Sequence, residues 1–343
     1  MQIKGCRVVK MELQTIIDSI RNFPGVTRKS KIHEVVDLLP TDAFPRVAAA
    51  EGEDAAAIEM GDSYVLFATD GIMESLVQSD PYMAGYFAVL VNVNDIAAMG
   101  GRATAMVDVV SMSDNRICGM LLRGMEEGVR RFGVPIVGGH THPDCNYHAI
   151  DISIIGEVKK ECLIRSCSAK PGDDIVFVMD LDGHYPDNIP YAWLTTLDKD
   201  PKLVKRQMEA AAIVADEKLA HAGKDMSNPG SVGTLGMLLE ASEMGAEVDL
   251  NKIPVPKDCT DFIRWLLCYQ GCGFVYTCPH ENSERIIEIF RKVKCEGAVV
   301  GKVNESKKLE LTYNGEKGTL FDFSSDIITG CKPKQHLSSK VLH

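Results

Sequence analysis

Two domains of mixed α and β structure are what three features of this chain imply. Its 343 residues exceed what one compact core usually holds, which sets a prior of two domains of roughly 150 to 180 residues each. Helical and alternating hydrophobic patterns occur in both halves, and a turn phrase, Ala169-Lys170-Pro171-Gly172-Asp173, launches the second half. Neither half carries a regular βαβαβ series, which disfavours a doubly wound dinucleotide fold. With the boundary near residues 159–170, the expected domains are residues 1–165 and 166–343.

Leu13, Ile16, Ile17 and Ile20 fall on one stripe of a helix over residues 11–22, which Phe23-Pro24-Gly25 should stop. Val26 to Lys31 carries Arg28, Lys29 and Lys31 in no evident element and reads as a mobile basic arm. Residues 55–60 and 63–69 flank Gly61-Asp62 as a β-hairpin that runs out at Thr69-Asp70-Gly71. Pro81 opens a helix that Gly100-Gly101 ends, and an alternating strand covers 103–110. Asp114 is placed to cap a helix reaching Phe132. Val134 to Val137 reads as a short buried strand ending in Gly138-Gly139-His140-Thr141, and residues 149–158 alternate again. The second half should hold a strand at 175–179, a helix at 203–222, a loop at 225–230, a helix at 231–244, and strands at 273–278 and 297–303 joined by a helix.

Composition narrows the function classes. A net charge of −11 disfavours a nucleic-acid surface, and no apolar run approaches the roughly 20 residues of a membrane span. The cations of Met1 to Lys10 lack a following apolar segment, so no export signal is read and a cytoplasmic location is expected. The eleven cysteines are scattered and odd in number, as suits reduced thiols. Cys268, Cys272 and Cys278 lack the paired spacing of a zinc ribbon and are expected to be small core residues. Phosphate-loop, dinucleotide-loop and protein-kinase signatures are absent.

Acidic residues at element ends carry the chemistry instead. Asp54 precedes the hairpin, Asp70 ends it, Asn94 and Asp95 sit in an otherwise small and apolar helix, and Asp225 and Asn228 precede a glycine-rich helix start. Hard cations such as Mg²⁺ take oxygen ligands, so several such carboxylates could hold ions against a triphosphate, while glycine lets phosphate approach the backbone. Taken singly, each acid could equally be a turn, cap or paired polar residue. The glycines at 230, 233 and 236 could admit a ligand or permit close helix packing. The run His140 to His148 holds three histidines and one cysteine: a transition-metal site, a phosphate or substrate contact through His140 and His142, or a plain polar loop.

The spelling of these segments, in order Glu53-Asp54-Ala55-Ala56-Ala57-Ile58, Thr69-Asp70-Gly71, Asn94-Asp95-Ile96-Ala97-Ala98-Met99-Gly100-Gly101-Arg102, Val137-Gly138-Gly139-His140-Thr141 and Lys170-Pro171-Gly172-Asp173, resembles the aminoimidazole ribonucleotide (AIR) synthetase-like superfamily. The resemblance covers about residues 50–325 and looks closest to the AIR synthase-related, methanogenesis marker protein 2 group of archaeal methanogens. It implies an N-terminal domain whose strands join those of a second subunit in a shared barrel, and a C-terminal domain of sheet and helices. It implies a homodimer that binds ATP and Mg²⁺ and phosphorylates or activates an oxygen of an unidentified small molecule, as a kinase or a ligase-type enzyme. On this resemblance Asp54, Asp95 and Asp225 are metal ligands, and Asp70, Asn94, Gly138, Gly139, His140 and Asn228 contact the nucleotide, with His140 also a candidate substrate contact. The basic arm is either a cover for the triphosphate, as in relatives, or a solvated loop. His140 stands where thiamine-monophosphate kinase has aspartate; selenophosphate synthetase also has histidine there. Cys6 lacks the glycine-rich surroundings of the latter's reactive cysteine, and Cys331 lies twelve residues before the end rather than at it, unlike the terminal cysteine of the hydrogenase-maturation member. The alternative function is a catalytically silent nucleotide-binding partner or sensor in cofactor assembly, and no general base is assigned.

Overall fold

The computed structural model describes residues 12–36, 38, 44–112 and 114–331, so Cys6 lies outside the described residues. The first half folds as a six-stranded sheet, in the order Val47–Ala49, Ala56–Met60, Ser63–Gly71, Ala149–Lys159, Arg102–Ser111, Ile136–His142. All neighbours are antiparallel except Arg102–Ser111 with Ile136–His142. One face of this sheet is covered by the helix Pro81–Ala98, against which the helix Asn115–Phe132 packs.

Local chemistry sets both helices. Asp80 accepts from the Met83 amide at 3.1 Å, Pro81 fills the first helical position, and Gly100, at φ 76°, turns the chain out of the helix. Asp114 accepts from the amides of Arg116 and Ile117, and Gly133 closes the second helix in the left-handed region. The two helices touch backbone to backbone. A Cβ on Gly85 would lie 2.0 Å from the Leu121 carbonyl oxygen, and one on Gly124 would lie 1.9 Å from that of Tyr82.

The second half is a seven-stranded sheet ordered Glu316–Asp322, Lys308–Tyr313, Gly245–Asp249, Glu296–Asn304, Asp174–Met179, Gly273–Cys278, Ala222–Asp225. Its interior strand Asp174–Met179 is buried on both faces. Val176 and Val178 join the core shared with Pro201–Asp216, Ser283–Arg291 and the first half, whereas Ile175, Phe177 and Met179 face Leu13–Arg21, Ser231–Ala241 and Phe262–Leu267. The observed fold is therefore the expected pair of mixed α/β domains. Cys268, Cys272 and Cys278 are fully buried core residues.

Three elements differ from expectation. Pro24 starts a helix rather than ending one, so the basic segment is a chain of short turns, Pro24–Thr27, Arg28–Lys31 and Ile32–Val36, not an unstructured arm. Helix Pro201–Asp216 stops short because Lys218 takes φ 55°, and the next residues form the strand Ala222–Asp225, whose four small or charged residues show no alternation to read. The strand expected at 134–137 instead runs Ile136–His142, through both glycines, and is exposed at the sheet edge.

Candidate functional site

Asp54, Asp95 and Asp225 come from three separate elements and converge: each offers a carboxylate oxygen within 4.8 Å of the others. Asp54 is aimed by its neighbour. Glu53 accepts from Arg165 at 3.0 Å, the Ser166 amide at 2.6 Å and the Ser166 hydroxyl at 2.8 Å, which ties the loop before the hairpin to the start of the second domain. Gly52, at φ 82°, makes that turn, and a Cβ there would lie 2.9 Å from the Cβ of Cys331. Asp95 faces inward from the helix Pro81–Ala98, one residue after the buried Asn94. Asp225 ends the strand Ala222–Asp225, and Gly230, at φ 85°, turns that chain into the helix Ser231–Ala241.

These groups line a cavity of about 430 Å³ between the two domains. Asp70, Asn94 and Asn228 line it too, as do Lys29 and Arg28 of the N-terminal turns and Thr329 and Cys331 near the C-terminus. Lys224 donates from its buried ammonium to Asp54. The turn at Pro24-Gly25 lies against Asn228, since a Cβ on Gly25 would sit 1.8 Å from its Oδ1. Glu240 pins the C-terminal segment by accepting from the amides of Ile328 and Thr329, both at 2.8 Å, and from the Thr329 hydroxyl at 2.7 Å.

Charge in this cavity is unbalanced. Burial raises the Asp95 carboxyl well above the usual carboxylate range, and Asp70, Asp225 and Asp54 push it the same way. Burial, reinforced by Asp54 and Asp70 against Lys224, pushes Asp225 up to about 8. Asp54 and Asp70 are also raised by burial, with Lys224 opposing at Asp54 and Lys29 opposing at Asp70. Lys29 is lowered by its own burial and by Lys224, while Asp225 and Asp70 draw it upward. Buried carboxylates that repel one another are relieved by a cation, and Asn94 Oδ1, buried without a partner, adds an unsatisfied oxygen. An all-oxygen donor set of this kind fits a hard cation such as Mg²⁺ and does not fit a thiolate- or imidazole-seeking metal.

The structure brings together Asp54, Asp70, Asn94, Asp95, Asp225 and Asn228. It does not bring Gly138, Gly139 and His140 to this cavity within one chain. They stand on the exposed edge strand, where His140 pairs in register with Val109 and stacks edge-on with His142 at 4.6 Å. Sequence reasoning missed Lys224, Thr329, and the aromatic residues Phe87 and Tyr269. For Lys224 a signal existed, a lysine after Ala222-Gly223 and directly before Asp225. Gly233 and Gly236 abut Pro229 and the Ile328–Phe321 pair, so they serve helix packing.

The model of the AIR synthase related protein N-terminal domain matches residues 52–158, and that of its C-terminal domain matches residues 183–314. An uncharacterized protein of Methanocaldococcus jannaschii is 45% identical over 325 residues, covering 94% of this chain and 100% of its own. A selenide, water dikinase of Carboxydothermus hydrogenoformans is 25% identical, with 97% of this chain and 96% of the relative covered. Among solved structures, T. maritima PurL complexed with AMPPCP superposes with a TM-score of 0.70 at 21% identity, over 89% of this chain and 49% of the other, so this chain spans about half of that protein. With both domain models matched in order, across more than half its length, the chain belongs to the AIR synthase related protein family.

Proposed function

We propose that this protein is an ATP- and Mg²⁺-dependent enzyme that transfers the terminal phosphoryl group of ATP to an oxygen of a small molecule. The observation that carries this reading is the convergence of the half-buried Asp54 and Asp95 with the buried Asp225 beside Lys29. Asp54, Asp95 and Asp225 would hold Mg²⁺, which would supply charge neutralisation at the triphosphate. Phosphoryl transfer asks mainly for positioning and charge neutralisation, and the cavity supplies both. The bond from the terminal phosphorus to its bridging oxygen breaks, a bond to the acceptor oxygen forms, the acceptor's proton passes to solvent, and ADP leaves. Lys29 brings a positive charge to the triphosphate, and Asn94 and Asn228 add polar contacts. Relatives named as a selenide, water dikinase and as PurL complexed with an ATP analogue support nucleotide use.

The enzyme acts as a homodimer. Phe67, Ile155, Val107 and Val109 expose apolar side chains from one face of the first sheet, in adjacent register rows. A second copy covers this face, and His140, in the same row as Val109, then reaches nucleotide or acceptor from the interface.

ADP release with ATP, Mg²⁺ and anaerobic cell extract tests the reading. The expected result is turnover by the wild type that falls at least about 100-fold in Asp54→Asn and Asp95→Asn. Tight ATP binding with no ADP release under any condition would instead favour a silent nucleotide-binding partner.

A further inference from the structure

The cavity has two unlike ends. The helix Pro81–Ala98 runs its length, presenting Phe87, Leu90 and Val91, then Asn94 and Asp95, along one face. Eight residues at 1.5 Å each separate Phe87 from Asp95 by about 12 Å, enough to part a reacting group from a body. Opposite Phe87 stands Tyr269, their rings edge to face at 6.5 Å, with Leu76 and Ile72 completing the wall. Tyr269 brings a hydroxyl to this group, and Arg28 lines the same cavity.

Of the cavity's three cations, one is bonded to a carboxylate. Lys224 is bonded to Asp54, whereas Lys29 and Arg28 make no ion pair among the described residues and both lie in the field of Asp70. The Arg28 guanidinium rests 3.6 Å from the thioether of Met73 and acts on Tyr269 on one side and Asp70 on the other. An apolar wall edged by a guanidinium that makes no ion pair among the described residues matches a ligand with a hydrocarbon or aromatic body and one carboxylate. It does not match a sugar phosphate, whose hydroxyls and dianion would leave several groups unpaired against Leu76, Phe87 and Leu90.

Resting on the ATP reading above, we infer that the apolar end holds the phosphoryl acceptor, and that the acceptor is an apolar-bodied acid whose carboxylate pairs with Arg28 while its reacting oxygen faces the aspartates. The probes are 4-hydroxyphenylacetate and ribose 5-phosphate, titrated by ligand-observed NMR into the full-length protein with Mg²⁺ and AMPPCP. The expected result is that 4-hydroxyphenylacetate binds alongside AMPPCP and ribose 5-phosphate does not. Arg28→Gln, a change at an exposed position, and Val91→Asn should each weaken the aromatic acid about tenfold or more and leave AMPPCP affinity unchanged. The inference is overturned if ribose 5-phosphate binds in preference, if the aromatic acid does not bind, or if AMPPCP displaces it. It is overturned equally if Arg28→Gln weakens AMPPCP instead, which would give the apolar end to adenine. Binding of the aromatic acid without any binding of AMPPCP would sink the ATP reading and leave the acid site standing.

Discussion

Asp95 and Asp54 are both buried carboxylates, yet their substitution should have opposite effects on the ion-free protein. Asp95 faces other acids and has no cationic partner bonded to it among the described residues, so Asp95→Asn should raise the melting temperature at pH 8 while removing the gain produced by Mg²⁺. Asp54 neutralises the buried Lys224, so Asp54→Asn leaves an unpaired ammonium and should cost roughly 3–5 kcal/mol, read by chemical denaturation. The pH dependence follows from the same crowding. A carboxyl whose folded value is raised binds its proton more tightly folded than unfolded, so its stabilising effect is full below the unfolded value and is lost as pH rises through the folded one. For Asp225 that window runs from the usual 3.8 up to about 8. Ion-free protein should therefore lose stability between pH 5 and pH 8, and thermal melts should show a larger Mg²⁺-induced rise at pH 8 than at pH 6. Each aspartate was visible in the sequence as an acid at an element end. Their mutual approach was not, because it depends on how three elements distant in the chain pack, and only the resemblance joined them.

Elements were legible where their signals are local. The proline and aspartate at the start of Pro81–Ala98, and the alternation of Ser63–Gly71, mark themselves. The strand Ala222–Asp225 escaped notice because it is four residues long and takes its place by pairing with Gly273–Cys278, a contact about fifty residues away in the chain. The N-terminal turns were misread because Pro-Gly stops one helix and Pro also starts the next. The crossing of the two long helices also has a local cause, the glycines at 85 and 124, which let backbones meet. Gly124→Ala should separate them and destabilise the protein by roughly 1–3 kcal/mol, measured by denaturant unfolding, with the helix Pro81–Ala98 and hence Asp95 displaced.

Across the whole molecule, the cavity lies where both domains and both ends of the described chain meet, so neither domain could form it alone. Its other proposed partner is a second copy of the chain. Val107→Glu puts a charge in the middle of the exposed apolar face, and light scattering after size exclusion should then report a monomer where the wild type is a dimer. The same variant should weaken any contribution of His140, which shares that face. Among the described residues no helix is long and apolar enough to cross a membrane. The most direct test of the gathered aspartates as a magnesium–triphosphate cradle is calorimetric titration of AMPPCP into the wild type with Mg²⁺ and with EDTA, and into Asp95→Asn with Mg²⁺. Binding that needs the cation and falls at least about 100-fold in Asp95→Asn is the predicted result; equal binding in EDTA, or in Asp95→Asn, would contradict it.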